Sequence, residues 1–163
     1  MRIGRTVALV FAIALIAGFG AAAFAQVQHE IAITRTEIQA ERQAIVADNL
    51  PLSEEQAKAF WPLYREYRGA LAKAGDRTVG MIESYAKNYD TLSDEQATSM
   101  VDEFFAIKKE ELKIKTDWLP KFRKVLPGKA MARFVQIENK LDTIIRFGLA
   151  DEIPLVEHMP KGK

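Results

Sequence analysis

LSEEQAKAFWPLYREYRGALAKAGDRTVGMIESYAKNY, residues 52–89, decides how the rest of the chain is read. It opens on Leu52-Ser53-Glu54-Glu55-Gln56, and the opening returns forty residues later as Leu92-Ser93-Asp94-Glu95-Gln96. A serine with glutamine three residues on forms a capping box. The serine oxygen accepts from an early helix amide and the glutamine side chain reaches back to the serine backbone. The acids in between, Glu54 and Glu55 or Asp94 and Glu95, fall in the first turn, where the helix dipole favours negative charge. Leu52, Ser53 and Gln56, and again Leu92, Ser93 and Gln96, therefore mark two helix starts.

After the first start, Phe60, Tyr64, Tyr67, Leu71, Ala74, Thr78, Met81 and Tyr85 follow at spacings of four and three, one seam along a helix about 50 Å long. After the second, Val101, Phe105, Leu112, Leu119, Phe122 and Leu126 keep that rhythm, with Lys108 and Lys115 interrupting it. A second apolar line, Met100, Phe104, Ile107, Ile114 and Trp118, lies beside the first. One stripe suffices to bury a surface helix, so this helix carries surplus apolar width. Pro62 and Pro120 each predict a kink, because proline removes a backbone hydrogen bond.

Outward from this pair, residues 26–50 read as a weaker helix. Ile31, Ile38 and Ile45 repeat every seven, but Thr34, Arg35, Glu41 and Arg42 stand between them, and Pro51 closes the segment. Pro127-Gly128 stops the third helix. A fourth runs from Lys129 to about Phe147, with Ala130, Phe134, Ile137, Leu141 and Ile144 as its seam and Gly148 as its end. Residues 151–163 read as an extended tail. Period-two alternation is absent, so the fold class is all-α with four helices, two of them long, kinked and antiparallel.

Arg2 and Arg5 precede an apolar run, Val7 to Phe24, that ends in Ala23-Phe24-Ala25, which predicts a secretory signal peptide over residues 1–25; the rival reading is an uncleaved membrane anchor. The domain then spans residues 26–150. Cleavage removes two arginines and no acid, leaving 21 basic residues against 22 acidic ones. With zero cysteines no disulfide forms, and packing alone supplies stability. A cysteine-free exported domain fits a bacterial envelope, which predicts a periplasmic address and leaves nucleic acid out as a partner.

Catalysis needs a nucleophile, base or metal gathered in a pocket. His29 and His158 stand near opposite ends of the mature chain, and no phosphate loop, nucleophile elbow or HExxH occurs. The expectation is no enzyme, no cofactor and no metal. Met159 beside His158 offers a soft-metal set only if the termini meet. Lys121, Arg123, Lys124, Lys129 and Arg133 form a run without an intervening acid. It either complements the C-terminal dipole of the third helix or presents a patch to acidic protein segments or anionic head groups.

The paired Leu-Ser-x-x-Gln openings, in a small cysteine-free helical chain with an export signal, resemble the Spy/CpxP family of periplasmic proteins and its LTxxQ repeats, with Ser standing for Thr and keeping the capping chemistry. The resemblance covers roughly residues 52–126. It implies a thin, curved four-helix protomer that pairs into a cradle-like dimer. Members act as ATP-independent chaperones on unfolded envelope proteins or as adaptors restraining a stress-sensing kinase, and some relatives are tied to heavy-metal response.

The resulting expectation is an exported, chaperone-like homodimer of the stress response that binds non-native envelope proteins on an amphipathic concave surface. Its client-binding residues are Trp61, Met100, Phe104, Ile107, Trp118, Lys121, Arg123 and Lys124. The alternative is an envelope-stress regulatory adaptor with one specific partner, such as a sensor kinase domain. Association with a membrane surface through residues 121–133 is a further, less favoured option.

Overall fold

The computed structural model describes residues 40–156, with the backbone alone for Glu152. The proposed signal peptide, His29, Ile31, Ile38, His158 and Met159 lie outside the described residues. Those residues are all-helical and contain no strand: α1 over residues 40–49, α2 Glu54–Asn88, one 3-10 turn Tyr89–Thr91, α3 Asp94–Arg123 and α4 Gly128–Glu152. No helix among them is long and apolar enough to cross a membrane.

Both long helices start as their sequences dictate. Ser53 and Ser93 sit in extended backbone, which frees each hydroxyl to turn toward the first turn. Gln56 N–H donates to Ser53 Oγ at 3.2 Å while Ser53 N–H donates to Gln56 Oε1 at 3.0 Å; the second box repeats this at 3.2 and 2.9 Å. Ser93→Ala should therefore cost about 1 kcal/mol of stability in thermal or urea unfolding, and Ser93→Thr should restore most of it. Equal stability of all three proteins would deny the box its role.

The described residues gather into two compact parts. One holds residues 52–131 with 155–156 and contains α2, α3 and the start of α4. Its core is aromatic: Phe60 and Phe122 are almost wholly buried, and Tyr64, Tyr67, Leu71 and Ala74 continue the buried line up α2. Phe60 stacks on Tyr64 at 5.5 Å and meets Phe122 at 5.7 Å, and Tyr67 meets Phe122 edge-on at 5.4 Å. Thr78 and Met81, expected in this seam, are only partly buried. At that level Arg77 reaches α3 instead, with Nε and Nη2 on the two oxygens of Glu103 at 2.9 and 2.8 Å and Nη1 bonded to Glu110. The Arg77 bond holds the Glu103 carboxyl below the usual carboxylate range. Tyr89 donates its hydroxyl to the Leu155 carbonyl at 3.0 Å, tying residue 155 to the α2–α3 turn.

The other part holds residues 40–51 and 132–154. Here the sequence expectation needs correction. Arg42, taken as an interruption of a thin α1 stripe, is 4% exposed and lies on the buried line Arg42, Val46, Leu50. Its guanidinium donates to Glu138 at 3.1 Å and to Asp142 at 2.8 Å. Glu138 in turn replaces Ile137 in the α4 seam, which runs Met131, Phe134, Glu138, Leu141 at spacings of three and four. Arg133 donates to the Asn49 carbonyl at the end of α1. The helix also continues past Gly148 to Glu152, since one interior glycine costs only about 1 kcal/mol and Ile145, Gly148 and Leu149 remain partly buried.

Candidate functional site

On α3, residues 101, 105, 108, 112, 115, 119, 122 and 126 alternate by four and three and share one stripe. The line of Met100, Ile107, Ile114 and Trp118 falls about a third of a turn away. The uninterrupted line takes the interior: Ile107 is 1% exposed, Met100, Ile114 and Trp118 are partly buried, and Phe104 at its edge is 42% exposed. The lysine-bearing stripe faces water over its first half, with Val101 55%, Phe105 65% and Leu112 63% exposed. Only its last members, Phe122 and Leu126, are buried. The expected roles of the two lines are thus exchanged along residues 100–112.

The reason is the cost of burying ammonium groups. Packing the Val101 to Leu119 stripe inward would take Lys108 and Lys115 out of water, whereas the other line offers only apolar side chains. Lys108 instead bonds Glu111 at 3.3 Å and sets its ammonium 5.3 Å from the centre of the Phe104 ring. Phe104 and Phe105 meet edge-on at 5.3 Å, so their adjacent side chains form one aromatic ridge.

Of the residues assigned to client binding, Phe104 alone combines a large apolar side chain with broad exposure. Ile107 is core and presents no surface. Trp61 is half-buried and packs edge-on against Phe60 at 5.1 Å and Tyr64 at 5.7 Å, so part of its indole belongs to the aromatic core. Trp118 is half-buried against Tyr67 at 5.9 Å and Phe122 at 6.4 Å, with the Lys121 ammonium 3.7 Å above its ring. Lys121, Arg123 and Lys124 are exposed, but they stand at the far end of α3, about 14 Å beyond Leu112 at the helical rise. The apolar ridge and the basic run are separate features.

No family model, curated protein or solved structure matches this chain. What the site can do therefore rests on its own geometry. Val101, Phe105 and Leu112 belong to the line that keeps the seam's rhythm, and sequence reasoning gave them no site role. The signal that identifies them was present, in the two lysines seven residues apart on their line. Among the described residues no three His, Cys, Asp or Glu side chains gather in a metal-holding group. The depressions beside the ridge are open and shallow, one lined by Asp94, Glu95, Thr98, Ser99 and Asp102, the other by Arg77, Met81, Met100 and Glu103 among others.

Proposed function

We propose that this chain is an exported, periplasmic, ATP-independent chaperone-like protein that holds non-native envelope proteins on the exposed ridge of α3. The observation that carries the reading is Val101, Phe105 and Leu112 on one stripe, each more than half exposed, with Phe104 beside them. Clustered large apolar side chains open to water mark a surface that another polypeptide covers. Lys109, exposed one turn beyond Phe105, adds charge attraction for acidic side chains of a client.

In this reading α2 and α3 form antiparallel arms, bent at Pro62 and Pro120, and two copies pair so that their ridges line one cradle. The energetics suit reversible holding. Burying a Val, Leu or Phe side chain is worth roughly 1.5–3 kcal/mol, against about 0.5–1.5 kcal/mol for each side chain immobilised. A few such contacts retain an unfolded segment and release it without nucleotide hydrolysis. The resemblance of the two Leu-Ser-x-x-Gln starts to a family of envelope chaperones supports the same assignment.

The test is light scattering from a reduced or heat-unfolded client mixed with the protein at near-stoichiometric ratios. Protection is expected, and Phe105→Ser with Leu112→Ser should weaken it several-fold while leaving helix content intact, because both side chains are exposed. A wild-type protein without protective effect, or a double variant that protects equally well, sinks the proposal.

A further inference from the structure

The chain has no cysteine, so the methionine thioether is the side chain left for reversible oxidation. The three methionines among the described residues differ in setting. Met131 is 8% exposed and belongs to the core, whereas Met81 on α2 and Met100 on α3 are partly buried and line one depression shared by the two long helices. Gly80, Ser84 and Ser99 are the neighbours on its wall, so no bulky side chain closes it, and a Cβ at Gly80 would meet nothing within 4 Å. The depression measures about 290 Å³, against about 30 Å³ for a water molecule in the liquid, so a molecule the size of hydrogen peroxide enters it.

Both thioethers stand one turn from the ionic contact that joins the arms at this level. Met81 follows Arg77 by four residues and Met100 precedes Glu103 by three, so each shares a helix face with one member of that pair. Apolar burial nearby is slight: Thr78, Met81 and Met100 are partly buried, and between Ala74 and the end of α2 only Tyr85 is buried. The two methionines are therefore a large share of the apolar contact here.

We propose that Met81 and Met100 form an oxidation site through which hydrogen peroxide loosens the half of the α2–α3 pair near the turn. A thioether sulfur donates an electron pair to one peroxide oxygen: an S–O bond forms, the O–O bond breaks, and the departing hydroxide takes the proton left on the transferred oxygen and leaves as water. Sulfur is oxidised by two electrons and the peroxide is reduced by two. The product is a polar sulfoxide in place of an apolar thioether. Its oxygen requires hydrogen-bond donors, which water entering the depression supplies at the expense of packing between the arms. Arg77 on its half-exposed glutamates is then the main link at this level, and ion pairs so open to water hold little.

The experiment treats the full chain with hydrogen peroxide, reads each methionine by peptide mass spectrometry and follows backbone amides by hydrogen exchange. Met81 and Met100 should each gain one oxygen on the order of tenfold faster than Met131. Exchange in residues 78–103 should then quicken about tenfold, while residues 60–71 and 114–122 keep their protection. Methionine sulfoxide reductase should restore the slow exchange. Met81→Leu with Met100→Leu keeps apolar volume and removes both sulfurs, so this variant should exchange like the untreated wild type before and after peroxide. Oxidation of Met131 as fast as the other two, unchanged exchange once both sulfoxides have formed, or the same quickening in the leucine variant overturns the proposal.

Discussion

Arg42→Met will cost this protein about 3–5 kcal/mol, seen as a lower urea midpoint at unchanged slope. Arg42 is 4% exposed, and the side chains of its partners Glu138 and Asp142 are 5% and 14% exposed. Deleting the cation takes away the guanidinium that spans both carboxylates, in a part of the molecule where Val46, Leu50 and Leu141 are nearly dry. Breaking one side of a buried pair is the costly step, whereas exchanging both sides for apolar groups roughly breaks even. Arg42→Met combined with Glu138→Leu should therefore recover most of the loss, leaving Asp142 to turn toward water. A single-variant loss below about 1 kcal/mol would mean that the triad behaves as a surface pair.

Phe122→Ala is expected to be as severe, about 3–5 kcal/mol, because the vacated space is walled by side chains that are themselves immobilised. Phe122 is 1% exposed and touches Phe60, Tyr67 and Trp118, rings carried by both long helices. Phe60→Ala should match it, and the double variant should lose less than the sum, since the two rings share one cavity. Near-ultraviolet circular dichroism should fall together with the unfolding midpoint. Strict additivity would show that the rings act independently, against the 5.7 Å contact between them.

The helix starts and the aromatic seam were legible because each rests on chemistry local to the chain. A capping box is complete within five residues, and Phe60 to Ala74 repeat at the helical period without a polar break. Arg42 and Glu138 were not legible. Each reads as a polar interruption of its own helix, and only across 96 residues do they become one buried pair. The exchange of lines on α3 lies between these cases. Counting apolar residues makes both lines plausible as core, and comparing the desolvation of Lys108 and Lys115 with that of an all-apolar alternative selects the right one.

Seven of the eight buried side chains on the two long helices lie at or between residues 60–74 of α2 and 107–122 of α3. Past Ala74 on α2 and before Ile107 on α3, Tyr85 alone is buried. The pairing of these arms is therefore unequal in kind, riveted by rings at one end and buttoned at mid-length by Arg77 on two half-exposed glutamates. Ionic strength acts on the button and hardly on the rivets. The exposed ridge at Val101, Phe104 and Phe105 sits on the buttoned side, so added salt should loosen the pairing beside it before it reaches the rings.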